Sequence, residues 1–151
     1  MKLNKIAHIG IAVQSVDIAL RTYRDVLGMD YQGTVELTTR GLRIAFLNVG
    51  DTLIELLEPL TPTSEISNFL QKRGEGVHHV CFEVDDIVEA LSLTEQGGVK
   101  LIQREPSLGA EGLPVAFLHP KSCHGVLVEF LEKSGGPTHV QLQADLSGST
   151  P

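Results

Sequence analysis

The chain has 151 residues, of which 42% are apolar and 21% are charged, an ordinary composition for a globular domain. A chain of this length buries enough surface to fold without disulfides or a structural metal. The formal net charge of −7 argues against nucleic acid and anionic membrane surfaces as partners. Two cysteines and an N-terminal segment without the apolar run of a signal peptide favour a cytoplasmic location.

An internal repeat determines how the rest of the sequence is interpreted. A shift of 71 positions pairs His8 with His79, and a three-residue insertion then lengthens the shift to 74. The two halves are therefore predicted to be copies of one module. Further pairs related by these shifts are Phe46 with Phe117, Glu55 with Glu129, and Glu58 with Glu132.

Module one, residues 4–60, is predicted to begin with a strand and a helix. Residues 8–13 alternate between apolar and polar or small side chains, which is the period-2 pattern of a strand with two different faces. Apolar residues at helical spacing then predict a helix over residues 16–27, with Ser15 at its N-cap and Gly28 at its end. Three further strands are predicted at residues 33–37, 42–49 and 52–58.

Module two, residues 76–132, follows a predicted linker helix at residues 62–74 and repeats the same order of elements. Asp86, with Glu89 three residues later, resembles a capping box at the start of its helix. The Gly, Ser and Pro content of residues 134–151 is typical of a flexible terminus. The expected fold class is α+β, with two βαβββ modules in a single domain over residues 1–133. Further strands of module two are predicted at residues 99–103, 113–118 and 125–131.

Glu55 and Glu129 stand out because each lies in a strongly apolar strand. A carboxylate buried there without a partner or a cation costs several kcal/mol. Strand alternation puts His8 and His79 on the face opposite their apolar neighbours, toward the two glutamates. Two imidazoles and two carboxylates suit an octahedral site for Mn, Co, Ni, Fe or Zn, with two positions left for water or substrate.

Each of these four residues also has a purely structural interpretation. A histidine near the start of a strand is commonly hydrogen bonded, and a strand glutamate commonly pairs with Lys or Arg. Recurrence of both residue types at corresponding places in the two modules favours the metal site. His78 has the opposite parity to His79 and is predicted to be structural. Cys123 and His124 lack the second nearby cysteine of a zinc site.

Five short segments carry a resemblance to a known family, at residues 8–13, 54–60, 76–80, 117–121 and 125–129. Over about residues 4–132 the chain resembles the vicinal-oxygen-chelate (glyoxalase) superfamily and, within it, the methylmalonyl-CoA epimerases. The resemblance implies a curved eight-stranded mixed sheet with the active site in its trough. It also implies a homodimer, which the sheet edges of two small modules independently favour. The implied cofactor is one divalent ion per chain, Co or Mn first and Ni, Zn or Fe as alternatives, held by His8, Glu55, His79 and Glu129.

The reaction implied by the resemblance is metal-dependent epimerisation of (R)- and (S)-methylmalonyl-CoA, an acyl-CoA substrate, through α-proton abstraction and a metal-stabilised enolate. Glu129 and Glu55 are the expected proton carriers. The alternatives to Glu55 are a metal-bound water and, if its strand borders the trough, Glu36. Lys121 is a candidate contact to CoA. Some epimerases carry Gln at the place of Glu55 and Glu at the place of Ile44, so this chain departs from their pattern twice.

Three other functions fit the same fold. A glyoxalase I-like lactoylglutathione lyase is the first alternative, because it abstracts a similar proton with the same types of metal ligand. An iron dioxygenase uses three protein ligands, so the fourth ligand argues against that reaction. A non-enzymatic ligand-binding protein has no need of four buried ligands, and a metal-free protein would favour it.

Overall fold

The computed structural model describes residues 1–138, which separate into two compact units. One unit is His8–His78, and the other joins Met1–Ala7 to the chain from His79 onward. The division therefore falls inside the first strand. The predicted flexible tail begins at residue 134, and its residues 139–151 lie outside the described residues. The single domain predicted over residues 1–133 stays a prediction. Within residues 1–138, no helix is both long enough and apolar enough to cross a membrane.

Module one has the predicted order of strand, helix and three strands, followed by the linker helix. Its elements are β1 (Lys5–Ala12), α1 (Val16–Leu20), β2 (Asp30–Leu37), β3 (Leu42–Val49), β4 (Thr52–Pro59) and α2 (Glu65–Arg73). The strands pair in the order β2-β3-β4-β1, with β1 parallel to β4 and the other neighbours antiparallel.

Module two repeats this arrangement. Its elements are β5 (Gly76–Val84), α3 (Ile87–Gln96), β6 (Ser107–Leu108), β7 (Pro114–Leu118) and β8 (Val128–Glu132). The strands pair in the order β5-β8-β7-β6, with β5 parallel to β8 and the other neighbours antiparallel. The predicted fold class is confirmed, because both modules are βαβββ units and their eight strands mix parallel and antiparallel pairing.

The helices begin where the sequence predicts. The Ser15 hydroxyl accepts a hydrogen bond from the backbone N–H of Ile18 at 3.2 Å. The Asp86 carboxylate accepts one from the N–H of Glu89 at 3.0 Å. Each cap satisfies an N–H group that has no partner within the first turn of its helix, and so defines the start of α1 and α3.

The first helix differs from the prediction after Leu20. Residues Arg21–Val26 form a π-helical turn, and Gly28 then ends the helix with a φ of 71°. The wider turn changes the angular spacing of the side chains. As a result Val26 and Leu27, which were predicted to belong to the apolar stripe, lie exposed.

The outermost strand of module two lies later in the chain than predicted. Residues 99–103 contribute one isolated bridge, between Leu101 and Leu118, whereas β6 pairs with Pro114 and Val115. Since β7 has only five residues, the two segments share its edge and neither extends along it. The prediction of a regular strand at residues 99–103 was therefore wrong.

The strands of each module have two different faces. Leu56 of β4 packs in the buried cluster beneath α1, and Phe130 of β8 packs in the cluster beneath α3. Glu55 and Glu129 each precede one of these residues, so their side chains point to the other side of the strands. We call the side covered by α1 or α3 the helix face, and the opposite side the glutamate face.

Candidate functional site

His8 and Glu55 form a buried pair within module one. His8 lies on β1 and Glu55 on the parallel strand β4, where Glu55 is in register with Gly10. The two residues are 3% exposed each, and His8 Nε2 lies 3.5 Å from Glu55 Oε2. The alternation of apolar and other residues in β1 therefore places His8 on the glutamate face, as predicted.

His79 and Glu129 form the corresponding pair in module two. His79 lies on β5 and Glu129 on the parallel strand β8, in register with Cys81. His79 is 6% exposed and Glu129 is 5% exposed, and the distance from His79 Nε2 to Glu129 Oε2 is 3.1 Å. Each module thus contains one buried imidazole–carboxylate pair, built from residues related by the repeat.

The chemistry of these pairs suits a divalent cation. Imidazole nitrogen and carboxylate oxygen are ligand types that Mn, Co, Ni, Fe and Zn accept. An ionised carboxylate that is nearly out of contact with solvent needs a cation or several donors to offset its lost hydration. His8, His79 and Glu129 are buried residues of the types that hold such ions. The residues present therefore fit a divalent metal.

A phenylalanine lies beside the glutamate in both modules. Phe46 of β3 is in register with Glu55, and Phe117 of β7 is in register with Glu129. The rings of Phe117 and His79 have their centroids 5.9 Å apart and meet edge to face, with 81° between their planes. The repeat relates the two phenylalanines in the sequence, but the sequence analysis assigned them no role.

Glu36 does not lie beside Glu55. It is in register with Arg43, whose guanidinium contacts Asp17 of the first helix at 3.3 Å and Glu58 at 3.4 Å. The hydrogen bond to Asp17 raises the pKa of Arg43 above its ordinary value. Since residues in register share a face, Glu36 lies on the helix face, and the alternative that made it a proton carrier was wrong.

Ile44 lies on the glutamate face, next to the position of Glu55. It is in register with Leu57, two residues along β4 from Glu55, and is almost fully buried. The place that some epimerases fill with a glutamate therefore holds an aliphatic side chain that points to the same side of the strands as Glu55.

The remaining residues singled out from the sequence have other surroundings. Lys121 is exposed in a short 3₁₀ turn, and its backbone N–H donates a hydrogen bond to Nδ1 of His119. His78 packs edge to face on Phe69 with 5.1 Å between ring centroids, which agrees with its predicted structural role. Cys123 packs against the cluster beneath α3, where burial raises the pKa of its thiol.

Comparisons with known proteins agree with this architecture. The chain matches the model of the Glyoxalase/Bleomycin resistance protein/Dioxygenase superfamily over residues 7–117. The chain therefore belongs to that superfamily, and each of its two βαβββ modules contains a buried His–Glu pair.

Similar proteins narrow the assignment. The chain is 44% identical over 129 residues to the mouse "Methylmalonyl-CoA epimerase, mitochondrial", covering 85% of this chain and 72% of the relative. It is 38% identical to the "Ethylmalonyl-CoA/methylmalonyl-CoA epimerase" of Cereibacter sphaeroides, covering 84% and 96% of the two chains. A structure of a Streptomyces coelicolor methylmalonyl-CoA epimerase variant, in complex with 2-nitronate-propionyl-CoA, superposes with a TM-score of 0.82 at 34% identity, covering 91% and 99%. The chain belongs to the methylmalonyl-CoA epimerase family, which confirms the resemblance seen in the sequence.

Proposed function

We propose that this protein epimerises methylmalonyl-CoA by removing and returning the proton on the α-carbon. The observation that carries the proposal is the buried imidazole–carboxylate pair in each module of a member of this enzyme family. Relatives are named for methylmalonyl-CoA, and one is named for ethylmalonyl-CoA as well. The proposed substrate class is therefore an acyl-CoA thioester with a carboxylate and a short alkyl group on its α-carbon.

The proposed cofactor is one divalent ion per chain, Co or Mn first, held by His8, Glu55, His79 and Glu129. Support comes from the burial of the four side chains and from the match of their donor atoms to such ions. When bound, the cation stabilises the negative charge that develops on the thioester oxygen as the α-proton leaves. His8 and His79 also orient the carboxylates, since each imidazole contacts one glutamate oxygen.

Glu129 and Glu55 are the proposed proton carriers. In one direction Glu129 accepts the α-proton from one side of the substrate, and Glu55 in its acid form gives a proton to the other side of the α-carbon. Glu129 ends protonated and Glu55 ionised, and the roles exchange in the reverse reaction. Ile44 has no proton to give, and Glu36 lies on the helix face, so Glu55 is the carboxyl that we assign in module one.

Three finer assignments complete the proposal. A homodimer would close sheet edges that two small modules leave unpaired. The cytoplasm is the proposed location. Lys121 is proposed to contact CoA phosphates, because its exposed position leaves the ammonium group accessible to a large anionic ligand.

One experiment tests the reaction and its main alternative together. The Co-loaded protein is incubated with methylmalonyl-CoA in deuterated water, and deuterium at the α-carbon is followed by mass spectrometry beside a methylglyoxal–glutathione assay. We expect rapid exchange with the wild type, and neither exchange nor tight metal binding with His79→Ala. Formation of lactoylglutathione without α-carbon exchange would contradict the epimerase assignment and support the lyase instead.

His78→Ala is the matched control for this test. His78 is the chain neighbour of His79 but packs on Phe69, so its loss removes an imidazole from the same strand without touching the His79–Glu129 pair. The control variant should retain metal and exchange activity. Equal loss of metal from both variants would contradict the assignment of His79 as a ligand.

A further inference from the structure

We propose that Phe46 and Phe117 are positioning residues, which hold the His–Glu pairs in the orientation that binds the cation. The inference rests on the proposed function, because it assigns these rings a role toward the four proposed metal ligands. Its first support is the register of the strands. Each ring projects from the residue directly opposite a buried glutamate on a neighbouring antiparallel strand. Side chains in such pairs stand close enough to be in contact on one face.

The second support is the contact between Phe117 and His79. The two rings meet at 81° with 5.9 Å between centroids, which is the edge-to-face arrangement favoured by the aromatic quadrupole. Phe117 is therefore paired with Glu129 across the two strands, and its ring packs on the imidazole of His79. One side chain therefore contacts the imidazole and neighbours the carboxylate of the same pair, and so limits the rotation of the His79 ring.

The third support is that the arrangement occurs twice in one chain. Other glutamate-face positions related by the repeat have diverged, such as Gly10 with Cys81 and Ile44 with Val115. The phenylalanine, by contrast, is retained beside the glutamate in both modules.

Their burial also distinguishes these rings from ordinary core residues. Both are only half-buried, whereas Ile44 and Cys81 on the same face, and the clusters beneath α1 and α3, are almost fully buried. The half-exposed rings instead border the faces on which the ligand pairs lie.

The test measures metal binding rather than turnover. Phe117→Leu and Phe46→Leu keep an apolar side chain at each position but remove the ring. Residues that orient metal ligands typically contribute about 10- to 100-fold to metal affinity, so we expect each variant to weaken Co(II) binding by about 10-fold. We also expect a change in the visible absorption bands of bound Co(II), because the orientation of the ligands determines them.

Phe130→Leu is the matched control. Phe130 directly follows Glu129 on β8 but packs in the cluster beneath α3, so it is close in sequence and on the opposite face. This variant should lower the melting temperature while leaving the Co(II) dissociation constant and spectrum unchanged. Phe117→Tyr, which keeps the ring, should bind Co(II) with nearly wild-type affinity.

The outcomes separate this inference from the proposed function. If the wild type binds Co(II) and exchanges the α-proton, but Phe117→Leu and Phe46→Leu retain the wild-type dissociation constant and spectrum, the positioning role is wrong and the function stands. A wild type that binds neither Co(II) nor Mn(II) overturns both. If Phe117→Leu does not fold, the other two variants provide the test. The positioning role then requires that Phe46→Leu lose affinity for Co(II) and that Phe117→Tyr retain it.

Discussion

Replacing Glu132 should destabilise the protein more than its position near the end of a strand suggests. Glu132 is the last residue of β8, lies on the helix face and is 1% exposed. Its carboxylate accepts hydrogen bonds from the backbone N–H of Ile87 at 2.9 Å, and from the N–H and hydroxyl of Thr138 at 2.9 and 2.6 Å. A single side chain thus joins the start of α3 to the segment that follows β8. A methyl group on Gly136 would lie within 2.6 Å of the Glu132 carboxyl, so the backbone passes directly over it.

The expected loss follows from what Glu132→Ala leaves behind. The N–H of Ile87 is buried, and an unsatisfied buried donor costs about 1–3 kcal/mol. The two groups of Thr138 are only partly buried and regain some hydrogen bonding to water. The hydration that the carboxylate gave up on folding offsets part of the loss. We therefore expect Glu132→Ala to lower the free energy of unfolding by about 2–4 kcal/mol, or the melting temperature by roughly 5–15 °C.

Urea and thermal denaturation, followed by circular dichroism, measure this difference. Glu58→Ala is the internal control, because the repeat relates Glu58 to Glu132 while the structure pairs Glu58 with Arg43 near the surface at 3.4 Å. This pair is only part-buried, and surface ion pairs contribute about 0.2–1 kcal/mol, so the control should change stability less than Glu132→Ala. A Glu132→Ala variant no less stable than Glu58→Ala would refute the reasoning from burial and hydrogen bonding.

Two further predictions concern the proposed function. Glu55→Gln should keep its metal, because the amide retains an oxygen ligand, yet lose about 10²–10⁴-fold in turnover, because an amide cannot carry the proton. Metal content and solvent-deuterium exchange on the same sample measure this, and exchange at the wild-type rate would contradict the two-glutamate mechanism. Light scattering at micromolar concentration should give the mass of a homodimer, whereas a monomer would count against the proposed closing of sheet edges.

The repeat and the period-2 pattern were sufficient to predict the strand faces on which the candidate ligands lie. Ile9 and Ile11 identify one face of β1 as apolar, so His8 must lie on the other face whatever the rest of the fold does. The same local argument applies to His79 and to Glu129 in their strands. Side-chain parity is a property of one strand, which is why the sequence alone determines it.

The errors arose where an element depends on its neighbours. Residues 34–37 alternate between polar and apolar side chains, so the sequence separates Glu36 from Val35 and Leu37 but does not tell which of the two sets lies beneath α1. That follows only from the pairing of β2 with β3, in which Glu36 is in register with Arg43. The sequence analysis therefore kept Glu36 as a conditional alternative to Glu55. The position of β6 depends similarly on how much of the β7 edge is open. The π-helical turn after Leu20 changes helical spacing in a way that a search for a 3.6-residue period does not detect.

The division of the chain inside β1 limits how the protein can be cut into fragments. Ala7 is buried with Cys81 and Leu131, although more than seventy positions separate it from them in sequence. A fragment expressed from module two alone would leave that cluster open and expose apolar side chains to water. Dividing the protein after His78 into two halves that recombine would therefore require a circularly permuted gene, in which Met1–Ala7 remains attached to the second half.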